Sequence, residues 1–283
     1  MIKVYIDSPN KKFSSGNHIG TEFHGFSGGE RNVKINMKHV NTLSRAEHVY
    51  VEAHIRSSDD FMDLVLVTDA LREIRALKFA KFCLVIPYVP YARQDRVMNA
   101  GEAHGIRAFS RLLNSLKYDE VVISDPHSDV TTALIDNVIV LEQAQVVASI
   151  LHPGHFDILV APDAGAIKKT NKLAKLWGKS EVGVGSKDRN ILTGEITGTS
   201  YTGPSVEGKN VLIVDDICDG GATFIHLGKV LREMNPKTLT LYVTHGIFSK
   251  GGAELSDVFN EVICTNIWQD NVENVYRDFI HEE

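Results

Sequence analysis

Short apolar segments recur along the whole chain, separated by polar stretches and alternating with segments of helical periodicity. Residues 2–6 (IKVYI) read as a strand, and 33–37 (VKINM) and 47–55 (EHVYVEAHI) alternate as half-buried strands do. The intervening 8–30, ending in FSGGE, reads as a loop holding one short strand. Apolar positions at helical spacing predict a helix over 60–78, with Asp59 or Asp60 as its cap. Strands follow at 82–88, 120–124 and 137–141, with helices near 105–116 and 143–151. The same rhythm returns: strands at 156–161, 181–185, 210–214 and 238–243, and helices within 162–177, near 223–234 and at 253–259, with 186–206 a polar loop. This predicts an α/β fold of mostly parallel sheets in two domains, residues 1–148 and 149–283.

In open α/β sheets, ligands bind beyond the carboxyl ends of the strands. The polar clusters fall there repeatedly: ARQDR, SDPHSD, APDAG, GSKDRN, VDDICDGGAT and THG. The sharpest is Val211–Thr223, VLIVDDICDGGAT. Asp215 and Asp216 can accept hydrogen bonds from sugar hydroxyls, or hold a cation against a phosphate. Asp219, Gly220, Gly221, Ala222 and Thr223 form a glycine turn opening a helix, where free N–H groups and a partial positive charge suit an anion. In PYVPYARQDR (Pro87–Arg96), Arg93 and Arg96 offer guanidinium forks for phosphates, and Gln94 can hydrogen-bond a base or ribose.

Composition narrows the field. With 283 residues, 43% hydrophobic and 23% charged, the chain can build a core without staples. Its net charge of −6 predicts no nucleic-acid partner. Three unpaired-looking cysteines and the lack of a long apolar run predict a cytoplasmic protein with no membrane partner.

VDDICDGGAT resembles the phosphoribosyl-diphosphate motif shared by type I phosphoribosyltransferases and ribose-phosphate pyrophosphokinases (PRPP synthetases). Further segments resemble the second group alone. PYVPYARQDR is similar to its ATP segment, which implies ATP contacts for Arg93 and Gln94, with Arg96 beside them. FSGGE is similar to FSxGE. That implies Phe26 stacking on adenine and Glu30 bonding near it, from a neighbouring subunit, with Gly28 where Asp or Asn is frequent. In SDPHSDVTTALID, the resemblance implies Mg²⁺ ligation by Asp125, His127 and Asp136, with His127 also reaching nucleotide phosphates; Val140 stands where a further acid is frequent. APDAGAIK (Ala161–Lys168) is similar to SPDxGxxxR/K, implying that Asp163 organises Mg²⁺. Lys187 and Arg189 match a K-x-R pair carried on a loop over the reacting phosphates, here Gly185–Pro204, and THGIFS matches THGxFS, with His245 in the shell of the site.

The resemblance covers Phe26–Ser249, and the chain reads as a short form with a reduced N-terminal lobe. It implies two phosphoribosyltransferase-like domains, an N-terminal one for ATP and a C-terminal one for ribose 5-phosphate, in a homo-oligomer of at least two chains. The implied cofactor is Mg²⁺, and the implied products are PRPP and AMP. Two other readings stay open: a type I phosphoribosyltransferase, and a non-catalytic subunit of PRPP-synthetase type. Cys83 reads as core, and Cys218, where the family usually has an apolar residue, as a candidate for oxidation.

Overall fold

The computed structural model describes residues 1–7, 18–40, 46–189, 196–268 and 275–277. They form two units, one ending at Leu141 and the other beginning at Glu142.

The first unit contains β1 (Ile2–Asp7), β2 (His18–Ile19), β3 (Thr21–Gly25), β4 (Arg31–Ile35), α1 (Met37–Val40), β5 (His48–Ala53), α2 (Ser58–Arg72), β6 (Lys81–Ile86), α3 (Gly105–Asn114), β7 (Glu120–Ser124), α4 (Asp129–Leu134) and β8 (Val138–Leu141). Its six-stranded sheet has the order β2-β1-β5-β6-β7-β8, with β5 to β8 parallel and β1 antiparallel to both its neighbours. Because the parallel strands follow one another in a single direction, right-handed crossovers set their helices on one face. Val49, Val51, Phe82, Leu84, Ile86, Val121 and Ile123 point to that face and share a core with Leu64, Val67, Leu71, Ile106, Phe109 and Leu113. The other face carries half-buried Tyr5, Tyr50, Glu52, Val85 and Val122, which is why β5 alternates strictly in burial.

Helix α2 is capped by Ser57, whose hydroxyl accepts from Asp60 N at 3.2 Å. Asp60 is therefore the third residue inside the helix and not the cap. The short strand expected within 8–30 is matched by β3, which pairs antiparallel with β4, close to the strand expected at 33–37, with the FSGGE turn at the tip of the pair. Arg31 ties this hairpin to α2: its Nε donates to Asp63 Oδ1 at 2.8 Å and its Nη2 to Asp63 Oδ2.

The second unit contains α5 (Gln143–Ile150), β9 (Ile158–Ala161), α6 (Ile167–Leu176), β10 (Val182–Arg189), β11 (Ile196–Thr202), β12 (Asn210–Cys218), α7 (Ala222–Glu233), β13 (Thr238–Gly246), α8 (Ala253–Val258), β14 (Glu261–Ile267) and β15 (Val275–Arg277). The seven-stranded order is β11-β10-β9-β12-β13-β14-β15, parallel except for β11. Here both faces are covered. Val211, Ile213, Leu239, Leu241 and Val243 face α7 and α8, whereas Leu212, Val214 and Tyr242 face α5 and α6. Burial on two faces explains the unbroken apolar run of β12. Ala144 and Val147 of α5 join this second core, so the expected boundary after residue 148 moves to after Leu141.

The polar segment 186–206 also departs from expectation. It continues β10 and turns back as β11, with Ser186 Oγ and Ser200 Oγ 2.7 Å apart across the pair. Gly185 lies where β10 passes the loop after β9, and a Cβ there would stand 2.7 Å from the Pro162 carbonyl oxygen and 2.8 Å from Leu227 Cδ2. Gly185→Ala is expected to lower stability by about 1–3 kcal/mol through overpacking, read as a fall in the thermal unfolding midpoint.

Candidate functional site

In the first unit, the ARQDR loop leaves β6 and the SDPHSD loop leaves β7, its parallel neighbour, so both emerge at one end of the sheet. They are knit by backbone bonds, with Ser124 N donating to Pro87 O at 3.2 Å and Asp125 N to Leu141 O at 2.8 Å. Tyr91 and Asp125 hold φ of +64° and +41°, and strain of this kind concentrates at functional loops. Asp125 is 1% exposed, whereas His127, Arg93 and Gln94 are exposed.

Asp95 Oδ1 accepts from Arg96 Nε at 3.2 Å, and His104 Nε2 lies 2.8 Å from the Asp95 carbonyl. Burial would raise the Asp95 carboxyl, but the Arg96 hydrogen bond, Ser128 and the positive charge of Arg96 and His127 hold it below its ordinary value. Arg96 and His127, from separate loops, thus act on one acid. Phe26 and Glu30 are exposed on the hairpin tip, where Phe26 N donates to Glu30 O at 2.8 Å and Gly29 N to Phe26 O at 2.9 Å. The His24 ring meets Phe26 edge-on at 5.0 Å.

Asp136 is not brought to Asp125 and His127. Helix α4 carries the chain back before β8 begins, and Val121 N donates to Asn137 O at the start of the β7–β8 pair. Asp136 therefore lies near the opposite end of the sheet, a five-residue strand's length of about 16 Å away.

In the second unit, the loops after β9, β12 and β13 leave one end of the same sheet. Asp163 Oδ1 accepts from Gly165 N at 3.0 Å and Ala166 N at 3.2 Å, so it shapes the start of α6. Asp215 and Asp216 sit in the last part of β12, opposite β13. Burial, then the charges of Asp216 and Asp163, push the Asp215 carboxyl well above the usual carboxylate range; the Asp216 N–H and Lys169 oppose this and lose. Lys169 Nζ is 3.3 Å from Asp216 Oδ2. Lys169 stands at the last position of the SPDxGxxxR/K spacing, one residue beyond APDAGAIK.

Gly221 is the N-cap of α7, with φ of +78°, a conformation that glycine adopts at little cost, and no side chain caps the helix. Its first-turn N–H groups are thereby aimed at whatever occupies the loop. The THGIFS segment packs alongside: Cys218 O accepts from Ile247 N at 2.8 Å and Phe248 N at 3.2 Å, and Asp219 O from Ser249 N at 3.1 Å. His245 is 2% exposed, and its Nδ1 lies 3.2 Å from Asn266 Nδ2. Asn266 was not read from the sequence because β14 itself was not. Lys187 and Arg189 fall on β10, opposite Thr199 and Ile196, with a register shift between Asp188 and Arg189. Their side chains, and residues 190–195 of the expected covering loop, lie outside the described residues.

Among the described residues, no three His, Cys, Asp or Glu groups form a metal cage. Magnesium needs none, since it takes one or two carboxylates and fills its shell with water and phosphate oxygens. Asp163, near enough to Asp215 for its charge to act on that carboxyl, offers carboxylate oxygen of the kind such an ion takes.

Two phosphoribosyltransferase-like α/β units, each with its polar loops beyond the carboxyl ends of a parallel sheet, define the class. The family profile described as N-terminal domain of ribose phosphate pyrophosphokinase matches residues 15–116, and that described as phosphoribosyl transferase domain matches 139–279. The chain is 33% identical over 265 residues to ribose-phosphate pyrophosphokinase of Pyrococcus abyssi, covering 89% of this chain and 85% of that one. It is 33% identical over 234 residues to the Thermococcus kodakarensis enzyme of the same name, covering 81% of each. The crystal structure of phosphoribosylpyrophosphate synthetase from Mycobacterium smegmatis shares the fold, with a TM-score of 0.73 and 22% identity over 92% of this chain and 85% of that one. The chain belongs to the ribose-phosphate pyrophosphokinase family of enzymes.

None of the three cysteines is in a disulfide, and all three are buried. Burial above all, with nearby Cys264, Asp215 and Asp219, pushes the Cys218 thiol up to about 12, so the expected sensitivity to oxidation is not supported. Burial, with Glu120, does the same for Cys83, also to about 12. Native protein at pH 8 is expected to react negligibly with an aromatic disulfide reagent, and all three thiols to titrate after unfolding in guanidinium.

Proposed function

We propose that the enzyme transfers the pyrophosphoryl group of ATP to ribose 5-phosphate, giving AMP and 5-phospho-α-D-ribose 1-diphosphate. The observation that carries this is the presence of anion-handling loops on both sheets. A phosphoribosyltransferase needs VDDICDGGAT but not the ARQDR and SDPHSD loops, which converge here on Asp95. The names of the relatives support the same reading.

On this reading the first unit is the ATP-binding domain. Arg93, Arg96 and His127 hold the phosphates, and Gln94 bonds the nucleoside. Phe26 and Glu30, exposed on their hairpin, serve the adenine of a neighbouring chain, which makes the working enzyme at least a dimer. The second unit is the ribose-5-phosphate domain. Asp215 and Asp216 orient the ribose hydroxyls, and the turn from Asp219 to Thr223 cradles the 5-phosphate on the N–H groups of α7. Asp125, His127 and Asp163 are the metal-side groups that remain once Asp136 is set apart. Magnesium, when bound, supplies charge neutralisation at the diphosphate oxygens. The anomeric hydroxyl attacks the β-phosphorus, AMP leaves, and the protein's part is alignment and stabilisation of charge by Lys187 and Arg189. Buried cysteines outside any disulfide suit a reducing cytoplasm, and no helix among the described residues is long and apolar enough to cross a membrane.

AMP release from ATP and Mg²⁺ is expected to depend on ribose 5-phosphate; active, folded protein lacking that dependence would sink the proposal. Lys187→Ala combined with Arg189→Ala is expected to reduce turnover by roughly 10³-fold or more while ATP binding by calorimetry persists. Unchanged turnover would remove the pair from catalysis and favour another source of charge stabilisation.

A further inference from the structure

Lys250 has no role in the reading above, yet it lies against the centre of the sugar-phosphate loop. Its stem runs over Gly220, with Cδ and Cε each 3.5 Å from the point where a Cβ of residue 220 would stand. One bond beyond Cε, the ammonium is within about 5 Å of that point. The backbone fixes this placement from both sides. Ser249 N donates to Asp219 O at 3.1 Å, and Gly251 N closes a turn onto Phe248 O at 2.8 Å. Phe248, fully buried and at φ of +48°, anchors the turn.

Lys250 is exposed and makes no ion pair among the described residues, although Asp219 is close in the neighbouring loop. A cation stretched along a glycine turn, beside the uncapped start of α7, is a charge awaiting an anion. The helix N–H groups of that turn supply direction but only partial charge. A phosphate monoester carries nearly two negative charges near neutral pH, and a lysine is suited to meet them as a mobile point charge.

We infer that Lys250 is a specificity-determining residue whose ammonium binds the 5-phosphate of the sugar phosphate seated on the Asp219–Thr223 turn. This rests on the assignment of that turn to ribose 5-phosphate. It adds a full cation from β13's loop to a site otherwise built of backbone donors, and makes affinity depend on the charge of the 5-substituent.

The test uses the full-length protein and three variants, Lys250→Met, Lys250→Ala and Lys250→Arg. Lys250→Met keeps the stem contact over Gly220 and removes only the charge. Ribose 5-phosphate binding is measured by calorimetry at two salt concentrations, alongside AMP release. Lys250→Met and Lys250→Ala are expected to weaken ribose 5-phosphate binding and raise its KM by about tenfold or more, with kcat and the KM for ATP changed less than twofold. Lys250→Arg should stay within about threefold of wild type. The salt dependence of binding should flatten in Lys250→Met, because a screened charge pair has been removed.

Wild-type ribose 5-phosphate affinity and salt dependence in Lys250→Met would overturn the inference while leaving the pyrophosphokinase reading intact. So would parallel losses in ATP affinity, kcat and melting temperature, which mark a structural role. If the wild-type protein neither binds ribose 5-phosphate nor releases AMP in its presence, the reading itself fails, and Lys250 falls with it.

Discussion

A strand buried on both faces can carry charge only toward its end, and the second unit is organised around that constraint. Strands β9, β12 and β13 lie side by side between α5 and α6 on one face and α7 and α8 on the other. Each buried aliphatic side chain contributes roughly 1.5–3 kcal/mol, so sliding β12 by even one residue would move a carboxylate into the core. Burial thus fixes the register, and the register delivers Asp215, Asp216 and the DGGAT turn to the same end as Asp163 and His245. The raised carboxyl of Asp215 follows from having acids at the margin of that dry layer.

The first unit meets the problem with half the cover. Its helices occupy one face, so its strands tolerate Tyr5, Tyr50 and Glu52 on the other. Less of its loop geometry comes from core register, and more comes from polar bonds. Asp125, buried at a positive φ, is held by Leu141 O; Asp95 gathers Arg96 and His104; the FSGGE hairpin is fastened by the Arg31–Asp63 fork. Asp63 is 8% exposed, and losing Arg31 would strand its charge on α2.

The same contrast decides what the sequence made legible. Helices α2, α3, α6 and α7 announce themselves through apolar spacing, and β9, β12 and β13 through apolar runs. The pairing of β3 with β4, the outer half of β10 and all of β11 do not, because they depend on a strand elsewhere; Ser186 meeting Ser200 is invisible to a local pattern. The site loops were legible as motifs beyond strand ends. Asp136 was misplaced because spacing along the chain ignores the return of α4. Lys169 was missed by one position, which on a helix is a rotation of about 100° and decides which lysine meets Asp216. Cys218 was read by its loop address, whereas its burial settles its chemistry.

The two halves of the second-unit site differ in how they hold charge. The turn at Gly221 presents backbone donors whose positions are set by α7, so their field is fixed in direction before any ligand arrives. The acids of β9 and β12 are equally fixed, but their mutual repulsion is only partly answered by Lys169. Burial and the neighbouring acids together hold the Asp215 carboxyl high, so this acid half suits ligands that bring positive charge or hydroxyl donors, while its glycine half suits an anion. On the proposed reading, ribose 5-phosphate satisfies both at once, with hydroxyls toward the carboxylates and phosphate toward the turn. On that reading a free inorganic phosphate satisfies only the second, so the site tells the two ligands apart by the arrangement of the two groups on one molecule, without needing a pocket closed on all sides.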